Sequence, residues 1–217
     1  MKTDSELQTD VHNELKWWPN VNAAHVGVTA KDGVVTINGQ VAHYAEKYAA
    51  EKAVREVYGV KGIVDDIKVE VSGSGMRTDQ DIAEAALNAL KWDFEVPQDS
   101  VTVTVKDGWV SLEGEVHWEF QKDAAARCVR YLHGVKSVAN LVLVKPSVKW
   151  IDVTKNIEEA FRRNEDLEAR RIHVSTDAGV VTLTGTVSSW SERNKADYAA
   201  WAAPGVRSVK DEIVVVP

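Results

Sequence analysis

The chain repeats one short pattern three times, and this repetition limits its fold more than any other feature. Each copy has a glycine after a turn residue, a second glycine six positions later, and a third in a Gly-Val-Lys or Gly-Val-Arg landmark 26 positions after the first. The repeated glycines are Gly33, Gly39 and Gly59, then Gly108, Gly114 and Gly134, then Gly179, Gly185 and Gly205. A shift of 75 positions superposes the first copy on the second, and a shift of 71 superposes the second on the third. We therefore predict three small domains, at 1–71, 76–145 and 149–217.

The pattern within each copy predicts an α-β-β-α-β module. Apolar residues recur every four positions in the first segment, which is typical of a helix with one buried face. Asp32-Gly33 lies between two alternating runs and predicts a type I′ hairpin with Val28 opposite Ile37. An alanine-rich helix follows, and we expect the landmark glycine to end it in the C′ position. The predicted fold class is α+β, with a three-stranded mixed sheet in each module and both helices on one face.

This order of elements, with D-G-x-V-x-L-x-G-x-V on the hairpin and G-V-x-x-V before the last strand, resembles the BON domain. The resemblance covers nearly the whole chain, and Ala178 replaces the turn aspartate in the third copy. It implies a non-enzymatic bacterial module associated with osmotic stress, transport, envelope maintenance and the binding of phospholipid or other apolar ligands. It also implies that the nine repeated glycines are fold determinants rather than a ligand site.

Charge and composition disfavour several classes of partner. The formal net charge is −7, and none of the three copies has the basic excess that nucleic-acid binding needs. The third copy is locally basic, and its arginines are candidates for contact with anionic headgroups: Arg162, Arg163, Arg170 and Arg171. A solvated helix end and strand edge is the other interpretation of this cluster. Because the single Cys128 aligns with Ala53 and Ala199, we expect it on the small-residue face of a core helix, without an intrachain disulfide.

No stretch of the sequence has the roughly 18 apolar residues of a membrane span, and the first residues lack the apolar core of a signal peptide. We therefore expect a cytoplasmic protein, with a periplasmic or envelope-associated location as the alternative that the resemblance implies.

Residues that could carry catalysis or hold a metal do not form a pattern. The six histidines do not recur at equivalent positions and have no metal-ligand spacing, and no nucleophile has a partnered base. We therefore expect no enzymatic activity, no metal and no cofactor.

The side of each sheet that faces away from the helices differs between the copies. The first copy has polar residues on its last strand there, Asp66 and Lys68, whereas the second has Leu141 and Leu143, with Trp109 on the preceding strand. These three residues are the main candidates for an interface or ligand site. Packing against another repeat or an identical chain, docking of an apolar ligand and contact with a foreign protein all remain open.

Eight tryptophans in 217 residues also favour interaction surfaces, though weakly. Trp118 and Trp190 follow the second strand of their copies, and we expect them to line one edge of the array. Trp17 and Trp92 recur at the end of the first helix, which predicts structural caps on the core. Together these features predict a binding or scaffolding protein and a possible homo-oligomer; a carrier of small apolar or amphipathic solutes is the alternative.

Overall fold

The structure is a computed structural model that describes residues 2–71, 73, 76–145, 153–163 and 171–216. Contacts divide the chain into two compact units. One is built from the residues described within 1–39, 49–66 and 146–217, and the other from those within 40–48 and 67–145. The repeats are described below one at a time.

All three repeats have the predicted α-β-β-α-β order. The first contains α1 (Asp4–Trp17), β1 (Val26–Lys31), β2 (Val34–Val41), α2 (Tyr44–Glu56) and β3 (Gly62–Val69). The second contains α3 (Asp79–Trp92), β4 (Val101–Lys106), β5 (Trp109–Val116), α4 (Glu119–Arg130), β6 (Ser137–Asn140) and β7 (Leu143–Val144). The third contains α5 (Val153–Arg163), β8 (Ile172–Asp177), β9 (Val180–Val187), α6 (Trp190–Trp201) and β10 (Ser208–Val215).

Each repeat forms its own sheet, with the second strand in the middle. The strand orders are β1-β2-β3, β4-β5-β6 and β8-β9-β10, and β7 also pairs with β5. The first two strands are antiparallel in every repeat, and the last strand of repeats two and three is parallel to the middle one. The mixed α+β class is therefore confirmed, as is the predicted pairing of Val28 with Ile37.

The hairpins have the backbone geometry that a type I′ turn requires. Asp32 and Gly33 have φ angles of 53° and 84°, and Asp107 and Gly108 have nearly the same values. Ala178 adopts a φ of 47° before Gly179, so the third repeat keeps this turn without the aspartate. Alanine in this region is strained, and the conserved geometry shows that the flanking strands impose the turn.

The glycine in the middle of each second strand permits a close approach of two backbones. A Cβ atom on Gly114 would lie 2.0 Å from the carbonyl oxygen of Ser100, and the equivalent atoms on Gly39 and Gly185 would be 1.9 Å from a carbonyl oxygen. The φ angles of these glycines, 130° to 144°, are also unfavourable for residues with a side chain. The expected structural role of this glycine follows directly from the contact.

The landmark glycine does not occupy the C′ position that we predicted from the sequence. The helix α2 ends at Glu56, and a further turn separates it from Gly59, whose φ is 103°. The backbone N–H of Lys61, two residues later, donates to the carbonyl oxygen of Gly33 at 2.8 Å. Lys136 with Gly108 and Arg207 with Gly179 make the same bond at the same distance. The landmark thus fastens the start of the last strand to the hairpin turn.

The core of each repeat lies between the helices and one face of the sheet. The first helices bury the predicted residues: Leu7, Val11 and Leu15; Ile82, Ala86 and Leu90; Val153, Ile157 and Phe161. The second helices bury alanines against the sheet, including Ala50, Ala125 and Ala200. Small side chains let these helices lie close to the strands, so even a thin module fills its core.

Replacing Gly114 by Ala should destabilise the second repeat by about 3 kcal/mol, because the new methyl group collides with the Ser100 carbonyl oxygen. Urea unfolding of the full chain, followed by circular dichroism, measures the change. Gly62→Ala is the matched control, since its Cβ would meet only the Val34 side chain at 3.7 Å. Equal stability of the two variants would contradict the proposed role of Gly114.

Candidate interaction surface

The side of the second sheet that faces away from α3 and α4, here called the outer face, carries three exposed apolar residues. Trp109 lies on β5 and is 62% exposed. Leu141 and Leu143, which are 56% and 58% exposed, lie on the last-strand segment. The residue that follows each of them in the sequence is buried: Val110, Val142 and Val144. The predicted alternation therefore puts all three candidates on the outer face.

The three candidates do not form one continuous apolar surface. Trp109 pairs with Ser137 beside the hairpin, whereas Leu143 pairs with Glu115 at the other end of β5. The backbone N–H of Leu141 donates to the carbonyl oxygen of Leu112 at 2.8 Å, which continues the pairing between the two ends. At about 3.3 Å per residue, Trp109 lies on the order of 13 Å or more from the leucines along the strand direction.

The last strand of repeat two is interrupted between the segments β6 and β7. The side-chain oxygen of Asn140 accepts a hydrogen bond from the backbone N–H of Val142 at 3.4 Å, and its amide nitrogen donates to the carbonyl oxygen of Lys122 at 2.8 Å. In repeat three, β10 continues through the equivalent Asp211, which is ion-paired with Arg193 at 2.6 Å. The sequence pattern does not reveal this interruption.

Charged groups surround the leucine end of the outer face. Lys145 forms an ion pair with Glu115, and both side chains are more than half exposed. Glu113 is also exposed and lies on the same side of β5. This end therefore combines apolar contact area with a polar rim, which is the usual anatomy of a protein interface.

Trp118 and Trp190 each lie at the start of the second helix of their own repeat, and both are half-buried. The backbone N–H of Trp118 donates to Gln121 Oε1 at 3.1 Å. The Arg193 guanidinium lies over the Trp190 ring at 4.8 Å. Each of these contacts lies at the start of a second helix, and the two helices belong to different compact units. That the two tryptophans line one common edge remains a prediction.

The arginine cluster is only partly within the described residues. Arg162 and Arg163 are exposed at the end of α5, and Arg162 Nη2 lies 3.9 Å from Glu158 Oε2. Arg171 is exposed just before β8, whereas Arg170 lies outside the described residues. Positive charge at a helix C-terminus is stabilised by the helix dipole, so Arg162 and Arg163 also have a structural reason to be there.

The prediction that Trp17 and Trp92 cap the core is wrong. Their side chains are 83% and 87% exposed. The last buried residue of each helix, Leu15 or Leu90, lies two positions earlier, and two positions correspond to a turn of about 200° around the helix. Recurrence at equivalent positions was therefore no guide to burial.

Cys128 is half-buried rather than fully inside the core. Its thiol donates a hydrogen bond to Asp93 Oδ2 at 3.2 Å. Burial raises the pKa of the Cys128 thiol to about 12, and the hydrogen bond to the Asp93 carboxylate adds to this effect. The thiol therefore stays protonated at neutral pH and is a poor nucleophile.

The described residues contain no group of three or more histidine, cysteine and acidic side chains that could hold a metal ion. They likewise contain no helix long and apolar enough to span a membrane. The cytoplasmic location expected from the sequence gains no support from these observations and stays a prediction.

Comparison with known proteins places this architecture in a family. The BON domain model matches the chain three times, at residues 3–71, 78–146 and 152–217. Osmotically-inducible protein Y of Escherichia coli (strain K12) is 31% identical over 173 residues, which cover 76% of this chain and 80% of that protein.

Similarity to solved structures is much weaker. The C-terminal domain of CdsD, a structural protein of the type III secretion system of Chlamydia trachomatis, is 16% identical with full coverage of both chains and a TM-score of 0.26. The periplasmic domain of PrgH is 9% identical, covering 89% of this chain and 96% of that one, with a TM-score of 0.24. Superpositions at this level carry no structural or functional inference.

The pKa of Cys128 should make stability decrease as the pH rises from about 9 to 12. The unfolded thiol loses its proton near its ordinary pKa of 9.0, whereas the folded thiol keeps it until about 12, so the unfolded state binds fewer protons in this range. Thiolate absorbance during an alkaline titration measures the folded pKa, with Cys128→Ala as the blank. A thiolate midpoint near 9 in the folded protein would contradict the assigned contacts.

Proposed function

Because this chain belongs to the BON domain family, we propose that it is a non-enzymatic binding or scaffolding protein that acts in bacterial stress or envelope physiology. Its relationship to a protein named for osmotic induction supports the physiological setting. The proposed mechanism is contact of the outer face of repeat two with an apolar partner surface. Phospholipid binding through the arginines of repeat three has less support, since Arg162 and Arg163 also suit a helix terminus.

One observation carries the proposal. Positions that hold Asp66 and Lys68 in the first repeat hold the exposed Leu141 and Leu143 in the second, although both repeats have the same order of elements. More than half of each leucine remains in contact with water, so packing within the repeat uses less than half of its apolar surface. Covering an exposed leucine stabilises a complex by about 1 to 2 kcal/mol at roughly 25 cal/mol per Å².

The carrier alternative makes a different use of the same residues. A cradle for a small apolar solute needs concave walls that enclose most of the solute. Trp109 and Leu143 instead project from opposite ends of one sheet surface, with Leu141 between them. An extended surface of this kind suits a partner that spans both ends, so we favour the binding or scaffolding role.

Replacing Trp109 and Leu143 together by Ser should reduce the fluorescence of the apolar dye anilinonaphthalene sulfonate on the native protein by about half or more, because the two largest exposed contacts of the outer face are lost. Val34→Ser with Lys68→Ser changes the equivalent positions of the first repeat and is the matched control. Circular dichroism should show that both double variants remain folded.

The same proteins should be floated with phosphatidylglycerol vesicles and with phosphatidylcholine vesicles, at low and at high salt. The proposal expects no flotation, since the face has acidic neighbours and the chain has a net negative charge. Salt-sensitive flotation on the anionic vesicles alone would move the function to the arginines of repeat three. Unchanged dye binding in the outer-face variant would remove the outer face from the mechanism.

A further inference from the structure

The first strand of each repeat lies at the edge of its sheet, so one row of its backbone groups has no strand partner among the described residues. Such edges attract the strands of other chains unless the protein blocks them. The three repeats treat this edge differently, and the difference points to a specific interaction of the second repeat.

In the first repeat, a side chain from the first helix blocks the edge. Gln8 of α1 donates a hydrogen bond from Nε2 to the carbonyl oxygen of Val28 at 2.7 Å. This contact shows that the backbone groups of Val28 face outward from the sheet. Since backbone groups alternate sides along a strand, those of Val26 and Ala30 face the same way.

The second repeat cannot make this contact. Ala83 occupies the position of Gln8, and a methyl group cannot donate a hydrogen bond. In the third repeat the equivalent Thr154 does reach the edge strand, with its Oγ1 2.7 Å from Thr176 Oγ1. By the shared register, Val101, Val103 and Val105 of β4 present the outward backbone groups in repeat two.

The strand β4 also lacks the residues with which proteins commonly discourage strand addition. Its sequence, Val-Thr-Val-Thr-Val-Lys, has no proline and no inward-pointing charge, and its single charged residue, Lys106, lies at the end of the strand next to the hairpin turn. Leu87 lies one helical turn beyond Ala83 on α3 and is 52% exposed, where the first repeat has His12. Alternating valine and threonine is among the sequences most favourable for strand pairing.

We propose that two copies of this chain associate by antiparallel pairing of β4 with β4 of the second copy, centred on Val103. In that register Val103 meets its own counterpart, and Val101 meets Val105. All outward backbone groups of the three valines then gain partners, as in an ordinary antiparallel ladder.

A second copy suits this edge because the strand is complementary to itself. In the same register Thr102 lies opposite Thr104, and threonine pairs across antiparallel strands are favourable. Lys106 lies opposite Ser100, and the like charges of Asp99 and Asp107 meet only beyond the ends of the paired strands. A two-fold symmetric contact of this kind closes on itself and gives a dimer rather than a fibre.

The pairing has a consequence for the proposed function. It would join the two sheets into one, so the outer faces of both copies would lie side by side on a single surface. A partner with two apolar sites would then bind with higher avidity than either face provides alone. The edge of β4 forms the dimer, whereas the outer face binds the partner, and the two can be altered separately.

Sedimentation equilibrium of the full chain tests the pairing. We expect a reversible dimer with a dissociation constant on the order of 10 µM, as for a small transient interface. Ala83→Gln installs the Gln8 contact in the second repeat and should weaken the dimer at least about tenfold. Thr102→Lys with Thr104→Lys places lysines opposite one another and should abolish it.

Two controls separate this proposal from the proposed function. Thr29→Lys alters the position of the first repeat that is equivalent to Thr104, and it should leave the dimer intact. Trp109→Ser with Leu143→Ser should also leave it intact while reducing dye binding. A wild-type monomer at about 200 µM, well above the expected constant, would overturn the proposal. A dimer that survives both β4 variants, or one lost only in the outer-face variant, would overturn it as well.

Discussion

The fold of each repeat depends on one backbone hydrogen bond, which joins the hairpin turn to the beginning of the last strand. The carbonyl oxygen of the hairpin glycine accepts it from the residue two positions after the landmark glycine, at 2.8 Å in all three repeats. The bond closes a loop that contains the second strand and the second helix. Because the second strand and the second helix must fit between the two bonded residues, the landmark glycine follows the hairpin glycine by 26 positions in every repeat.

In repeats two and three the hairpin glycine is needed at this connection for steric reasons. A Cβ atom on Gly108 would lie 2.8 Å from the carbonyl oxygen of Gly134, and one on Gly179 would lie 3.0 Å from that of Gly205. The turn and the landmark therefore contact each other directly. The second-strand glycine, such as Gly114, makes a further close backbone contact at the beginning of the first strand. These two contacts fix the inner geometry of the module and leave its outer surface free to vary.

Sequence reasoning succeeded where a local pattern decides the structure. Alternation and the four-residue period predicted which residues of the strands and helices are buried, and the Asp-Gly turn predicted the register of Val28 with Ile37. It failed for Trp17 and Trp92, because recurrence shows only that a position is equivalent, not which way its side chain points. Leu15 and Leu90 complete the buried stripe, so the next tryptophan lies off it.

The features that distinguish the repeats depend on contacts between elements that are distant in sequence. Asp79, the first residue of α3, accepts hydrogen bonds from the backbone N–H groups of Asp107 and Gly108 at 2.7 and 2.9 Å. Gln8 reaches Val28 across twenty positions in the same way. No periodicity encodes either contact, since each requires knowing where a helix crosses a strand.

The place where the first helix passes the first strand determines which differences between the repeats affect the sheet edge. Ala83 is an ordinary helix residue, but at the position of Gln8 it removes the side chain that hydrogen-bonds to the edge strand in the first repeat. The second repeat thus differs from the first in two independent ways, at its edge and on its outer face, while keeping the same glycine framework. A triplicated module can vary its surfaces in this manner because its inner hydrogen bonds and close contacts are already satisfied within each copy.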